Sequence, residues 1–140
     1  MEQGYEKLDI FKLSFELAIT IHRMTLSLPK FELYEEGSQI RRSSKSIVSN
    51  IVEGSGRRRY KNEFIQFLTY AIASCDETKV HLEMLHETEC LKKDVFENLV
   101  HSYEELGAKL FNFREGVINS HRASWNLHHG SWILFPNFSQ

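Results

Sequence analysis

Seven of the chain's 17 lysines and arginines lie between residues 41 and 61: Arg41, Arg42, Lys45, Arg57, Arg58, Arg59 and Lys61. Glu53 is the single carboxylate among them. Guanidinium forks match phosphate oxygens in geometry as well as in charge, and several such contacts give salt-dependent, sequence-independent binding to RNA or DNA. The rest of the 140-residue chain is acidic, with a formal net charge of −2 overall, and binding to a polyanion responds to the local field rather than to that sum. At about 100° per residue, Arg41, Lys45 and Arg42 share one sector of a helix, clear of Ile40, Ile47 and Ile51, and the Arg57 to Lys61 turn follows at its end. The competing reading is that these side chains solvate the helix and pair with carboxylates of neighbouring segments.

The remaining candidates carry less chemistry. Asn50 and Glu53, three apart on a face away from the apolar stripe, have the spacing of an acid/base pair, but one carboxylate is not enough for such a role. Its structural role is to cap backbone groups of the glycine turn or to pair with an arginine. Histidines stand at 22, 81, 86, 101, 121, 128 and 129 with no HExxH or CxxC beside them, so no metal site is expected. Gly54-Ser55-Gly56-Arg57 lacks the preceding strand and the Lys-Ser/Thr of a phosphate-binding loop. Cys75 falls on an apolar stripe and reads as a small core residue. Neither catalytic residues nor a cofactor are expected, and the chain reads as a binding or assembly module rather than an enzyme.

Four helices position these residues. Hydrophobic residues are 41% and charged residues 26%, ordinary values for one globular domain, and the apolar period is near 3.6. The first helix runs from Asp9 as cap to about Leu28, where Pro29 stops it, with Ile10, Leu13, Leu17, Ile21, Met24 and Leu28 as its stripe. A second stripe, Phe11, Phe15, Ala18 and His22 with Leu26, makes this helix wider in apolar surface than one core requires and predicts a subunit interface. The second helix lies between about Glu35 and Gly54, with Ile40, Ser44, Ile47, Val48 and Ile51 inward and Gly54-Ser55-Gly56 ending it. Serines at 43, 44, 46 and 49 permit close packing. The third begins near Tyr60 to Asn62 and carries Phe64, Phe67, Leu68, Ala71, Cys75, Thr78, Leu82 and Leu85. The fourth opens on Asp94 as cap, with Glu97 three residues on, and continues through Phe96, Leu99, Tyr103, Leu106, Leu110, Phe113 and Val117. Short connections make consecutive helices antiparallel, so the fold expected is an all-α, antiparallel up-down-up-down four-helix bundle over residues 1–122. Residues 123–140, with two tryptophans and the run Trp132-Ile133-Leu134-Phe135, form a separate aromatic tail. Two cysteines without a disulfide pattern, no apolar stretch of membrane-spanning length and no signal-peptide pattern at Met1 to Glu6 place the chain in the cytoplasm as an expectation.

The run from Ser38 to Arg57, Ser-Gln-Ile-Arg-Arg-Ser-Ser-Lys-Ser-Ile-Val-Ser-Asn-Ile-Val-Glu-Gly-Ser-Gly-Arg, followed by Glu63-Phe64-Ile65-Gln66-Phe67-Leu68, closely resembles the signature of the 23S rRNA intervening-sequence protein family. Tyr5-Glu6-Lys7-Leu8 and the Leu28-Pro29 stop are also similar to that family, so the likeness covers about residues 5 to 120. The resemblance implies a bacterial four-helix bundle that assembles as a ring-like homopentamer. A related branch resembles the accessory protein of diversity-generating retroelements, a basic pentamer that binds nucleic acid, which implies a phosphate-contacting role for Arg41, Arg42, Lys45 and Arg57 to Arg59. Two functions stay open at this point: a homo-oligomeric module that binds RNA or DNA through the basic window, or an oligomeric scaffold for a protein partner with no nucleic-acid binding.

Overall fold

A computed structural model describes residues 4–120 in full and the backbone of 123–126 and 131–134. After a 3-10 turn, Gly4–Lys7, come α1 (Asp9–Thr25), a one-turn α2 (Lys30–Tyr34), α3 (Glu36–Gly56), α4 (Lys61–Glu87) and α5 (Lys93–Ile118). The four long helices form the all-α body that the apolar stripes predict. α3 packs on both α1 and α4, and α4 packs on α5.

The helix ends differ from expectation for local reasons. Asp9 and Asp94 do not cap. Leu8 and Lys92 hold the cap positions without a side-chain bond, and the two carboxylates sit in the first turn, where they complement the positive end of the helix dipole. α1 stops at Thr25 rather than Leu28. The hydroxyls of Thr25 and Ser27 donate to the carbonyls of His22 and Met24 at 2.7 Å, and the amides of Leu26, Ser27 and Leu28 donate three residues back. The final turn therefore tightens before proline is reached. Pro29 opens α2 instead of closing α1: its carbonyl accepts the amides of Glu32 and Leu33 at 2.9 Å, and its fixed φ suits the residue ahead of a helix.

Small side chains bring α3 and α4 together. Ser46 Oγ and Ser74 Oγ lie 2.9 Å apart, Thr78 Oγ1 donates to Ser43 Oγ at 2.8 Å, and His81 Nδ1 meets Glu36 Oε2 at 2.7 Å. Positions fall along α3 as they rise along α4. Gly54 continues the seam: a Cβ there would stand 3.0 Å from the Cβ of Phe67. α3 accordingly runs through Gly54 to Gly56, and Gly54 serves close approach rather than helix termination. The α4–α5 contact has the same sense, with Cys75 Sγ donating to Tyr103 O at 3.3 Å and the Phe64 and Phe113 rings 5.9 Å apart.

The core is built from the expected stripes. Ile21, Ile40, Ile47, Leu68, Leu82 and Leu106 are fully buried, as is Tyr103. Burial pushes the Cys75 thiol up to about 11 and raises the Tyr103 phenol as well, so at neutral pH Cys75 stays protonated and packs as a small apolar residue. In the tail, β1 (Ala123–Asn126) pairs antiparallel with β2 (Ser131–Leu134), placing Trp125 opposite Trp132. The side chains of this tail, including the expected aromatic run, lie outside the described residues. No helix among the described residues is long and apolar enough to cross a membrane.

The α4–α5 corner contains one conformational cost. Glu89 has a φ of 62°, in the left-handed region that favours glycine, while Cys90 N–H donates to Leu85 O at 2.9 Å and Glu89 N–H to His86 O at 3.0 Å. That is a Schellman ending with a non-glycine residue at its left-handed position. Glu89→Gly is expected to stabilise the fold by about 1 kcal/mol, raising Tm by a few degrees, whereas Gly54→Ala should lower stability by about 1–3 kcal/mol through overpacking at the seam. Thermal unfolding followed by circular dichroism checks both signs.

Candidate nucleic-acid interface and subunit groove

The basic window does not act as one surface. Arg41 is half-buried and points back into the fold: its Nη1 donates to Thr25 Oγ1 at 2.9 Å and its Nη2 to Leu33 O at 3.0 Å. One guanidinium thus joins the end of α1, the carbonyl end of α2 and the first turns of α3. Gly37 makes room for it, since a Cβ there would meet Glu32 O at 2.8 Å and Arg41 Nη1 at 3.1 Å. Sequence spacing alone reads Arg41 as part of a phosphate-contacting face, whereas here both of its terminal nitrogens hold a helical corner.

Arg42, the next residue, and Lys45, one turn on, are exposed. Arg57, Arg58 and Arg59 follow at the far end of α3, about 18 Å beyond Lys45 at 1.5 Å per residue. Arg57 lies over the Phe67 ring at 4.7 Å, pairs with the Glu53 carboxylate at 3.6 Å and donates to Glu53 O at 3.1 Å. Phe67, read from its spacing as core, is half-buried and supplies the platform for this arginine. Arg58 Nη1 donates to Ser55 O at 2.9 Å. Lys61 Nζ donates to Ser120 O, tying the start of α4 to the end of α5. Arg59 is exposed with no partner among the described residues. The structure therefore gathers Arg57 to Arg59 at one end of the molecule, leaves Arg42 and Lys45 exposed along α3, and turns Arg41 and Lys61 toward internal contacts.

The other candidates resolve simply. The Glu53 carboxylate pairs with Arg57, one of the structural roles its position allows, and Asn50 Nδ2 donates to Ser46 O at 2.8 Å and Ser46 Oγ at 3.1 Å. Asn50 and Glu53 are each engaged separately. His81 sits between Glu36 and Glu77, and His86 stacks on Phe96 at 4.3 Å. Among the described residues no group of three or more His, Cys, Asp or Glu is disposed to hold a metal ion. His121, His128 and His129 lie outside the described residues.

The second stripe of α1 opens onto a groove of about 670 Å³ between α1 and α3. Phe15, Ala18 and Ile19 form one wall and Val48 and Val52 the other, with His22, Arg23, Lys45, Ser49 and Glu53 around the rim. Phe15 and Ile19 are exposed and Ala18 lies at the floor. Three of the four expected interface residues, Phe15, Ala18 and His22, line this groove. Phe11 does not: its ring packs edge-on against Tyr5 at 4.9 Å and beside Phe15 at 5.6 Å. Sequence reasoning missed the α3 wall, having assigned Val48 to the core. The signal available was Val52, an apolar residue four positions from Val48 and outside the core stripe.

Arg41→Ala removes two charge-assisted bonds at the α1–α2–α3 corner and is expected to cost about 2 kcal/mol. Arg42→Ala, on the open side of the same helix, should change stability by less than about 0.5 kcal/mol. Urea unfolding of the two variants separates the corner residue from its neighbour.

A model of the 23S rRNA-intervening sequence protein family matches residues 6–112. No curated protein matches. Among solved structures, a protein of unknown function from the S23 ribosomal protein family of Bacteroides thetaiotaomicron VPI-5482 is similar, with 27% identity and a TM-score of 0.67 over 76% of this chain and 95% of that one. The matched span contains α1 to α4 and most of α5, and with them the arginine corner, the basic turn and both walls of the groove. The chain belongs to the 23S rRNA-intervening sequence protein family.

Proposed function

We propose that this protein is a non-enzymatic, homo-oligomeric module of the bacterial cytoplasm that binds RNA or DNA through the arginine turn at the end of α3. The observation that carries this reading is the state of Arg57, Arg58 and Arg59. Three consecutive guanidinium groups stand at one end of the molecule, Arg57 beside the exposed Glu53 carboxylate and over the Phe67 ring at 4.7 Å. An arginine stacked on an aromatic ring has less freedom to lose on meeting a phosphate. Arg42, exposed on α3, extends the positive field and adds a further contact for a backbone longer than the turn, while Lys45 stands at the rim of the groove. The family's association with 23S rRNA intervening sequences supports a nucleic-acid partner.

Assembly is proposed through the α1/α3 groove, with five copies as the number that the family resemblance implies. Phe15 and Ile19 stay exposed along the groove, apolar surface that contact with a second copy would remove from water. Within each copy the proposed arrangement is the antiparallel up-down-up-down bundle, supported by the opposed order of the α3–α4 and α4–α5 pairings and by short connections between the long helices.

The test is binding of the purified protein to a labelled structured RNA and to a DNA duplex across a salt series, with the Arg57→Ala/Arg58→Ala/Arg59→Ala variant beside wild type. Wild type should lose affinity steeply as salt rises. The variant should bind weakly, with a slope of log K against log salt shallower by up to about three units. Absence of binding near physiological salt, or equal binding by the variant, would refute the nucleic-acid role and leave a scaffold for a protein partner.

A further inference from the structure

α4 carries a second apolar surface that the fold does not use. Its core positions, Leu68, Ala71, Cys75, Thr78, Leu82 and Leu85, lie on one side. About 150° around the helix, at 100° per residue, Tyr70, Ala73, Glu77, Val80 and Met84 form a ridge one position wide. Tyr70, Val80 and Met84 are each close to half exposed. Side chains at this spacing make a convex ridge of the kind that fits between two helices, and Ala73 within it permits close approach.

The α1/α3 groove is the concave counterpart. Its floor is Ala18 and its walls are Phe15, Ile19, Val48 and Val52. Arg23 and Lys45 stand on its rim with no carboxylate partner among the described residues, while Glu53 lies at the opposite end beside Arg57. The ridge has the reciprocal charge pattern: Glu77, exposed and 3.8 Å from His81 Nε2, lies within it, and Glu83 and the Asp76 carboxylate, itself paired with Lys79 at 3.4 Å, flank it, whereas its Tyr70 end is neutral. The spacing also agrees. Lys45 and Val52 are seven residues apart on α3, as Tyr70 and Glu77 are on α4, so each pair spans about 10 Å along its helix.

Resting on the homo-oligomer reading above, we propose that the α4 ridge of one copy seats in the α1/α3 groove of the next, with Glu77 beside Lys45 and Tyr70 against Val52. In this register the incoming α4 runs opposite to α3. Val80 then draws level with Arg42, next to Arg41, whose bond to Thr25 fixes the height of α1, and so comes near Leu26, a leucine left largely exposed. The charges agree with one direction only, because reversing α4 would bring its carboxylates to Glu53. Two different surfaces meet, so the contact is heterologous: each copy offers one groove and one ridge, and assembly continues until the rotation between copies closes a ring.

Two broken variants test this directly. Phe15→Asp destroys the groove and keeps the ridge, and Val80→Asp destroys the ridge and keeps the groove. Both positions are exposed, and circular dichroism melting verifies that each variant folds. Each alone should sediment as a monomer at concentrations where wild type is assembled, and an equimolar mixture should form a 1:1 dimer of twice the monomer mass. For register, Lys45→Glu and Glu77→Lys should each weaken assembly at least tenfold, and the double variant should recover to within about threefold of wild type. A monomeric wild type would overturn both the oligomer reading and this contact. Assembly by Val80→Asp like wild type, or a mixture that yields no dimer, would overturn the ridge-in-groove contact while the oligomer reading stands; an assembly lost only on removal of residues 121–140 would assign the groove to the tail instead.

Discussion

The close approach of α3 to α4 is the constraint on which the other features depend. Helices whose facing residues are leucine or phenylalanine settle near 10 Å apart, while serine, threonine and glycine at the contact let the axes come nearer. Here Ser43, Ser46, Ser74 and Thr78 form the contact and satisfy one another's hydroxyls, so polar atoms are enclosed without being orphaned. Gly54 extends the seam to the end of α3, against Phe67. Phe67 is therefore held at the edge of the body with one face open, which is where Arg57 lies. The position of the basic turn follows from the absence of a side chain at residue 54.

The same helix is fixed at its other end by a charge. A guanidinium donating to Thr25 and Leu33 is costly to remove from water, and it is retained because the corner contains carbonyl and hydroxyl acceptors that no apolar side chain would satisfy. α1 ends early through its own Thr25 and Ser27 hydroxyls, α2 begins on Pro29, and the two ends converge where Arg41 reaches them. With α3 held by a seam on one side and a corner on the other, α1 meets it only along part of its length, and the space between Phe15 and Val52 is left as a groove.

How much of this was legible in the sequence depends on the range of the interaction. The core of α4 was: Phe64, Leu68, Ala71, Cys75, Thr78, Leu82 and Leu85 are the buried residues that a period of 3.6 selects. The serines of the second helix also declared close packing. α2 was not legible, because five residues are too few for a period to register. Arg41 was misplaced for a different reason. On a helical wheel a charge away from the apolar stripe reads as solvated, and the acceptors that bury it come from two other elements. Val48 failed in the same way: its side chain is apolar and near the core sector, but which helix it faces depends on how far α1 extends beside it.

These two failures bear on how the family signature should be read. The run Gln39-Ile40-Arg41-Arg42 through Asn50-Ile51-Val52-Glu53-Gly54 looks like a nucleic-acid motif because of its arginines, yet its members divide by task. Ile40 and Ile51 are core, Arg41 and Gly37 make the corner, Gly54 makes the seam, Asn50 bonds back to Ser46, and Val52 is a groove wall. Most of the signature is thus explained by the requirements of folding and of presenting the groove. What remains free of such requirements is Arg42 and the turn from Arg57 to Arg59, with Arg59 the clearest case because nothing among the described residues engages it. A functional role for the basic charge therefore rests on the turn and on the outer side of α3, and the first arginine of the signature belongs to the architecture that holds them in place.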